Sequence, residues 1–531
     1  MSLVAPPTPP GAGAQAAGRW LRASTRWWEV VAVVAAFAVS RLAIDRAGVV
    51  FDLQPINDGY QLLHPRHLRE DLLYSVAHLH SQPPLFNLFI GLGLRAPADV
   101  MPSLFRGAYL AVGLALALTL RAVLRRVGVR PVVAVAVAVV FTVSPSVFLY
   151  ENWLHYDYPL VLMLALAVLA LQRYEDGHRL RDAAAFVVLL GALVLTRSMF
   201  HLVWFAAWVG ALVAYRRRAD WRRVAAVAAV PVVAVVGLHV HRLVQFGSFS
   251  SSTSLGMSLA KMTTFQLDPA DREALVAQGK LSRLALVEPF SPLRNYRAVV
   301  PPPPPTGVPV LDEQVKADAE PETASTFRTN FNNLAYVELS DRYLQDALRT
   351  IRLRPRAYGR GVLTAFDAYF RPPSDFFALS GNRQRVKTLD DAYNTVVYGV
   401  VGGGQAADRL PGAALRYAQG TGRTAWALLL MYAVALVGGA AVLGRALLRG
   451  RRGEGDGGGV LVLAFLWSTV AYVTVVSNVL EVGENARFHL VSDPLVVALL
   501  ATLVVRARTC HISRRERLLN ARMPHRAATA S

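Results

Sequence analysis

Long apolar runs separated by short polar and basic stretches dominate the pattern of this chain. A helix that crosses a bilayer needs about 17–25 mostly apolar residues, because the segment must satisfy its own backbone hydrogen bonds. The pattern predicts about ten spans, within a range of about nine to eleven, at residues 28–48, 102–123, 131–150, 157–173, 182–197, 199–215, 223–241, 423–446, 459–480 and 490–507. An eleventh would lie within residues 84–98. The predicted fold class is therefore an all-α polytopic membrane protein.

Composition and charge refine this prediction. Of the 531 residues, 54% are hydrophobic and 17% are charged, whereas soluble domains are about a quarter charged. The net charge is +20, but the arginines are concentrated in every second short loop. The positive-inside rule then places both termini in the cytoplasm. We expect a multi-pass protein of the cell (plasma) membrane, in contact with membrane lipids and not with nucleic acid.

The spans divide the chain into five regions. They are a disordered cytoplasmic tail (1–26), an N-terminal transmembrane module (27–242) that includes the first external loop (49–101), a large extracytoplasmic segment (243–422), C-terminal transmembrane helices (423–507) and a basic cytoplasmic tail (508–531). Apolar residues recur at helical spacing from Leu68 to Leu79, which predicts a juxtamembrane helix in the first external loop. The large segment is expected to be mixed, with a polyproline stretch at residues 301–305 and a helix over residues 340–353.

Charged and imidazole side chains are concentrated in three connections on the predicted external side. They are Asp58, Glu70 and Asp71 in the first loop, Glu151, His155 and Asp157 between the third and fourth spans, and Glu481, Glu484, Arg487, His489 and Asp493 between the ninth and tenth. A carboxylate can take the proton of a hydroxyl, and a cation can stabilise a departing phosphate. Structural roles remain open for each residue, such as a turn at Asp58, helix capping by Glu151 and Asp157, or contact of Arg487 with lipid headgroups.

Other polar features have simpler interpretations. Arg41 and Asp45 are four residues apart in the first span and are expected to form an ion pair. His239 and His241 point to different sides of a helix, so no metal site is predicted there. The glycine run at 402–404 lacks the strand and helix of a phosphate-binding loop. No nucleotide motif and no metal-ligand pattern occurs, so no cofactor is expected; a divalent cation is compatible with the chemistry but not indicated.

Three short stretches carry a resemblance to a known family. They are HSQPPLF at residues 80–86, YENWLHYDYPL at residues 150–160 and ENARFHLVSDPL at residues 484–495. Together with the layout of the spans, they resemble the polytopic GT-C glycosyltransferases, in particular the bacterial group similar to protein O-mannosyltransferases and lipid A aminoarabinose transferases. The resemblance covers most of residues 28–242 and 459–507, and the large external segment has no counterpart in it.

The resemblance implies a GT-C-like fold and a membrane glycosyltransferase. Its donor would be a polyprenyl-phosphate sugar, and a hexosyl or pentosyl group would pass to a hydroxyl of an envelope lipid, polysaccharide or protein. Asp58 is the best match to the base of the first loop, although Asp58-Gly59 stands where Asp-Glu is common, and Glu70-Asp71 is the rival. Arg487 would hold the donor phosphate and Asp157 would orient a substrate. Further candidates for substrate or donor binding are His489, Glu151 and His155.

Two other classes of function remain open. One is a membrane transporter or flippase for a lipid-linked or envelope component, and the other is a scaffold for envelope assembly. Transporters usually carry polar groups near the membrane midplane and related halves. Here the charges lie at the ends of the spans and no repeat is visible, which favours the enzyme.

Overall fold

The computed structural model describes residues 12–59, 61–215, 221–316, 319–400, 424–451 and 459–521. In these ranges every regular element is a helix, and β pairing is limited to isolated bridges such as the one between Asp52 and Trp153. The first helix begins at Ala12 and the last ends at Ala521, so both extend into the regions predicted as tails. The glycine run at 402–404 lies outside the described residues.

The N-terminal module contains twelve helices in the described part of the chain. They are α1 (Ala12–Arg46), α2 (Pro55–Asp58), α3 (Pro65–Glu70), α4 (Leu72–Ala77), α5 (Leu85–Gly93), α6 (Met101–Val127), α7 (Pro131–Thr142), α8 (Pro145–Glu151), α9 (Asp157–Gly177), α10 (Leu180–Thr196), α11 (Leu202–Tyr215) and α12 (Trp221–Phe246).

The remaining helices belong to the large segment and to the C-terminal spans. They are α13 (Leu255–Met262), α14 (Pro269–Ala277), α15 (Pro309–Asp312), α16 (Ala335–Leu353), α17 (Pro355–Tyr369), α18 (Ser380–Arg385), α19 (Lys387–Val396), α20 (Trp426–Arg451), α21 (Val460–Leu480), α22 (Asn485–Leu490) and α23 (Asp493–Ala521).

Six of the described helices are long and apolar enough to cross a membrane, as expected of a polytopic membrane protein. They are Trp27–Arg46, Met101–Val127, Asp157–Gly177, Trp221–Phe246, Trp426–Gly450 and Val460–Leu480. Every predicted span overlaps a helix, but the number of about ten is not confirmed. Helices α10 and α11 have only 17 and 14 residues. The suggested eleventh crossing is the nine-residue α5, which is too short to span the hydrocarbon.

Helices α7 and α8 together occupy the third predicted span, and they are bent by 58°. The bend has a local cause, because Pro145 cannot donate a backbone hydrogen bond and disfavours helical geometry at the residue before it. Ser144 caps the new helix by accepting a hydrogen bond from the Val147 amide at 3.3 Å. If the pair counts as one span, the number of spans rises to seven.

The loops that the arginine pattern assigns to the same side contact one another. At one end, Arg121 pairs with Glu29 at 2.7 Å and Arg126 pairs with Asp176 at 2.6 Å. We call this the arginine-rich end, and it includes residues 124–130 and 174–181. The side of the membrane that it faces stays a prediction.

The opposite end, called here the first-loop end, joins residues 49–101, 152–156, 197–201 and 481–489. The Tyr472 hydroxyl donates to the Met199 carbonyl at 2.7 Å, and Asp52 bridges to Trp153. The first external loop holds four short helices, α2 to α5. The single juxtamembrane helix expected over Leu68 to Leu79 is divided at Asp71, whose φ and ψ of −127° and 49° leave the helical region.

The large segment packs over the C-terminal spans at the first-loop end. Helix α16 contains the helix predicted over residues 340–353, and it packs against α13 and α17. Helix α17 in turn packs on α21 and α22. Three buried tyrosines, Tyr296, Tyr336 and Tyr343, stack edge to face with centroid distances of 6.2 and 6.3 Å. The described part of this segment is therefore helical, with its own apolar core.

Candidate functional site

A cavity of about 830 Å³ lies at the first-loop end, where the large segment meets the ends of the spans. We call it the main cavity. Its wall is polar on several sides and comes from widely separated parts of the chain. The lining includes Gln61, Gln82, Tyr156, Arg197, His201, the serine-rich residues 248–254, Lys261, Glu288, Asp341, Glu481, Glu484 and Arg487.

A buried ion cluster forms one wall of the main cavity. Asp157, the first residue of α9, is 0% exposed. Its carboxylate accepts a hydrogen bond from Arg487 Nη1 at 2.7 Å and another from Arg197 Nη1. Arg197 follows the end of α10 and Arg487 lies in α22. Buried charges are tolerated when they are paired in this way, so the cluster ties three predicted connections together.

Aromatic rings hold both guanidinium groups in place. Arg197 lies 4.6 Å from the Phe488 ring centroid and 5.2 Å from that of Tyr156. Arg487 lies 5.1 Å from Phe488 and 5.4 Å from Phe376. These distances allow cation–π attraction. The orientation of the two cations is therefore set before any ligand arrives.

The two arginines differ in how many of their donors are already used. Arg487 also donates to Glu484, from Nε at 3.2 Å and from Nη2. In the described part of the chain, the Arg197 guanidinium donates a hydrogen bond only to Asp157. Arg197 therefore retains donors at the cavity wall that a bound anion could use.

The charges of this cluster are balanced. The two arginines face the carboxylates of Asp157 and Glu484. His155 Nδ1 lies 3.2 Å from Asp157, but burial lowers the pKa of the His155 imidazole to about 4. At neutral pH this ring is uncharged, and the cluster carries no net charge without a ligand.

Other charged groups line the rest of the cavity. Lys261 forms an ion pair with Glu481 and lies 5.6 Å from the Phe290 ring centroid. Asp341, on α16, is exposed to the cavity. The surrounding protein removes part of its water and raises the pKa of the Asp341 carboxyl above its usual value. A carboxyl with a raised pKa is a better proton acceptor when it is ionised.

The serine-rich loop, residues 248–254, is fastened to the first external loop. His80 is fully buried, with Nδ1 2.8 Å from Thr253 Oγ1 and Nε2 2.9 Å from the Asn332 carbonyl. The Ser252 hydroxyl donates to the Ser81 carbonyl at 2.6 Å. Burial lowers the pKa of His80 to about 3, so the ring is neutral. The HSQPPLF stretch thus connects the first external loop to the serine-rich loop of the cavity wall.

The structure brings together Asp157, Arg487 and His155 from the predicted set, and it places Glu151 in a different cluster. Glu151 accepts hydrogen bonds from Arg41 Nε at 2.8 Å and from the Tyr158 hydroxyl at 2.7 Å. The prediction of an ion pair between Arg41 and Asp45 is wrong. Asp45 pairs instead with Arg106 at 2.5 Å, because packing between α1, α6 and α8 offers Arg41 the buried carboxylate.

Three predicted site residues, Asp58, Asp71 and His489, are not among the described residues that line the main cavity. Asp58 accepts hydrogen bonds from Arg328 at 2.9 Å and from Gln54 at 2.7 Å. Asp71 is exposed between α3 and α4. His489 is buried, with Nδ1 3.0 Å from Asp493 and Nε2 close to a backbone carbonyl. The chemical roles predicted for these residues stay predictions.

Arg197 was missed by the sequence reasoning, although a signal was present. It is a lone arginine at a predicted external turn, between the spans 182–197 and 199–215. Arg487 is likewise a lone arginine in a short loop that is predicted to be external, the one between the ninth and tenth spans. Two arginines in the short external loops, which the positive-inside rule leaves poor in arginine, indicate a specific function better than either one alone.

His239 and His241 have separate partners, as their spacing predicts. His239 Nδ1 lies 2.9 Å from the Val235 carbonyl, and His241 Nε2 lies 2.7 Å from the Ala77 carbonyl. Among the residues that the structure describes, no group of three or more His, Cys, Asp or Glu side chains could hold a metal ion.

Comparisons with known proteins find little. No family model matches the chain, and no curated protein matches it. Among solved structures, the chain is similar to the S. cerevisiae protein O-mannosyltransferase Pmt1-Pmt2 complex bound to the sugar donor. The identity is 17%, the TM-score is 0.28, and the match covers 43% of this chain and 36% of that chain. A TM-score this low supports no conclusion about fold or function.

Proposed function

We propose that this chain is a membrane glycosyltransferase of the GT-C type. It moves a hexosyl or pentosyl group from a polyprenyl-phosphate donor to an acceptor hydroxyl at the extracytoplasmic face of the membrane. The observation that supports this most is the pair of fixed arginines, Arg197 and Arg487, at the wall of a large cavity at the ends of the spans.

In this proposal the arginine pair binds the donor phosphate. Arg197 supplies the unused N–H groups, and Arg487, held by Asp157 and Glu484, adds a second positive charge. When the bond between the sugar and the phosphate breaks, negative charge grows on the leaving oxygen. Cations that are already oriented stabilise that charge without further reorganisation. The prenyl tail would remain in the bilayer beside the spans.

The sugar would lie against the hydroxyl-rich part of the wall. The serine-rich loop, Gln61 and Gln82 present hydroxyl and amide groups there, and such groups both donate and accept hydrogen bonds. The acceptor oxygen loses its proton to a carboxylate and attacks the anomeric carbon. The carbon–oxygen bond to the phosphate breaks, and the anomeric configuration is inverted.

Three carboxylates are candidates for the base. Asp58 and Asp71 follow from the resemblance, and Asp341 follows from its exposure in the main cavity. A base must come within hydrogen-bonding distance of the proton that it takes, and such contacts often tighten only when substrate is bound. The candidates are therefore separated by substitution of each in turn by asparagine.

Donor binding tests the arginine pair directly. The full chain in lipid nanodiscs is titrated with a radiolabelled polyprenyl-phosphate hexose and, separately, a pentose. We expect Arg197→Gln to weaken donor binding at least tenfold, which corresponds to about 1.4 kcal/mol. Arg66→Gln is the control, because Arg66 forms an exposed ion pair with Glu313 outside the main cavity. Unchanged donor binding in Arg197→Gln would overturn the proposal.

Sugar transfer to envelope membranes tests the reaction and the base. Asp58→Asn, Asp71→Asn and Asp341→Asn are compared, and the base is the residue whose loss abolishes transfer while donor binding persists. A transporter or flippase would instead move labelled donor between leaflets without forming a glycosylated product. Full transfer by all three variants would exclude every base named here.

A further inference from the structure

A second cavity, of about 590 Å³, lies at the arginine-rich end. We call it the arginine pocket. It is formed by the C-terminal turns of α6 and α9 and the first turn of α10. Within the described ranges, its lining residues are Arg126, Arg173, Asp176, Gly177, Arg179, Arg181 and Asp182.

The charges around the arginine pocket are not balanced. Among the described residues, four arginines and two aspartates line it, which leaves an excess of two positive charges (4 − 2). One arginine is neutralised in the ion pair of Arg126 with Asp176, at 2.6 Å. The remaining arginines, Arg173, Arg179 and Arg181, are exposed. The first turn of α10 brings the positive end of a helix dipole, but the C-terminal turns of α6 and α9 bring negative ends, so the excess positive charge comes from the arginines.

Topology alone does not account for this arrangement. The positive-inside rule explains why arginines lie at this end, but it does not require four of them around one concavity. The turn between α9 and α10 creates the concavity. His178 adopts a left-handed conformation there, with φ of 50°, and this reverses the chain so that the arginines on both sides face the same space.

Aromatic residues indicate the depth of the pocket relative to the membrane. Tyr215 and Trp221, at adjacent helix ends, are 40% and 44% exposed, and Trp27, at the start of the first span, is 69% exposed. The Tyr215 ring packs against His178, with centroids 6.5 Å apart. Tyrosine and tryptophan concentrate at the level of the lipid headgroups. Exposed aromatic side chains at this end are what a pocket at the headgroup level requires.

We propose that the arginine pocket binds the phosphate of an anionic phospholipid headgroup. Guanidinium groups bind phosphate oxygens with two parallel hydrogen bonds, and basic pockets beside transmembrane helices fit anionic headgroups. The acyl chains of the lipid would lie along the exposed surfaces of the spans. This site lies at the opposite end of the bundle from the main cavity and does not depend on the proposed glycosyltransferase activity.

Lipid retention by the full chain tests the proposal. The protein is placed in nanodiscs of phosphatidylglycerol and phosphatidylcholine in equal amounts, then extracted into detergent and analysed by native mass spectrometry. We expect wild type to retain phosphatidylglycerol in preference to phosphatidylcholine. In the variant Arg173→Gln/Arg179→Gln/Arg181→Gln, the ratio of retained phosphatidylglycerol to retained phosphatidylcholine should fall at least tenfold. If it does not fold, Arg179→Gln alone should reduce the preference at least threefold.

The control changes arginines at the same end that do not line the pocket. Arg445→Gln/Arg449→Gln removes charge from the last turns of α20 and should leave the preference unchanged. Equal loss in the control would show a general effect of charge and overturn the proposal. A soluble source is tested with inorganic phosphate and glycerol phosphate at 10-fold excess over lipid. If either displaces phosphatidylglycerol completely, the site takes free phosphate, and the lipid assignment is wrong.

Discussion

Asp157→Asn tests whether the ion cluster is a fixed part of the protein. The substitution keeps the shape of the side chain but removes its negative charge. Arg197 and Arg487, whose side chains are 6% and 3% exposed, then both lose the Asp157 carboxylate, and in the described part of the chain only Arg487 keeps a carboxylate partner, that of Glu484. One buried positive charge is left without compensation. Removing one partner of a buried pair costs about 3–5 kcal/mol, so we expect the free energy of unfolding to fall by about that amount.

The measurement is reversible unfolding of the full chain in mixed micelles, titrated with sodium dodecyl sulfate and followed by tryptophan fluorescence. Asp176→Asn is the matched control, because its side chain is 70% exposed in its ion pair with Arg126, and such pairs contribute about 0–1 kcal/mol. The double variant Asp157→Asn/Arg197→Gln removes the unpaired charge and should be less destabilised than the sum of the single variants. A loss in Asp157→Asn no larger than that in the control would refute this reasoning.

Three further predictions concern individual buried groups. Burial lowers the pKa of Lys316 to about 7. Between pH 7 and the ordinary pKa of lysine, the unfolded chain therefore binds more protons than the folded chain. Unfolding titrations should show that the free energy of unfolding of the wild type rises from pH 7 to 9 relative to that of Lys316→Met. Gly113→Ala places a methyl group against the Glu151 carboxylate, whereas Gly107→Ala meets nothing within 4 Å; micelle unfolding should show a loss of about 1–3 kcal/mol for the first and none for the second. His80→Leu removes both hydrogen bonds of the ring. In a fully folded sample of this variant, titration with the donor should show severalfold weaker binding. An unchanged affinity would mean that other contacts hold the serine-rich loop.

Local patterns were sufficient to predict helices at the spans, although not to predict where each helix breaks or bends. Each predicted span overlaps a helix because the length of an apolar run and the position of its prolines are properties of a short stretch of chain. The arginine pattern also grouped the loops correctly at two ends, as contacts such as Arg121 with Glu29 and Tyr472 with Met199 show. The number of crossings was not determined in this way, since α10 and α11 are shorter than an isolated span requires.

The composition of the candidate site needed the tertiary structure. Sequence alone pointed to Asp157 and Arg487, which are 330 positions apart and prove to be in contact. It paired Arg41 with its helical neighbour Asp45, whereas the fold supplies Glu151, 110 positions away. It also passed over Arg197, whose partner lies on another helix. Hydrophobic spans are specified by local solvation. The partner of a buried charge depends instead on which distant groups the packed helices bring within hydrogen-bonding distance. No short stretch of sequence contains that information.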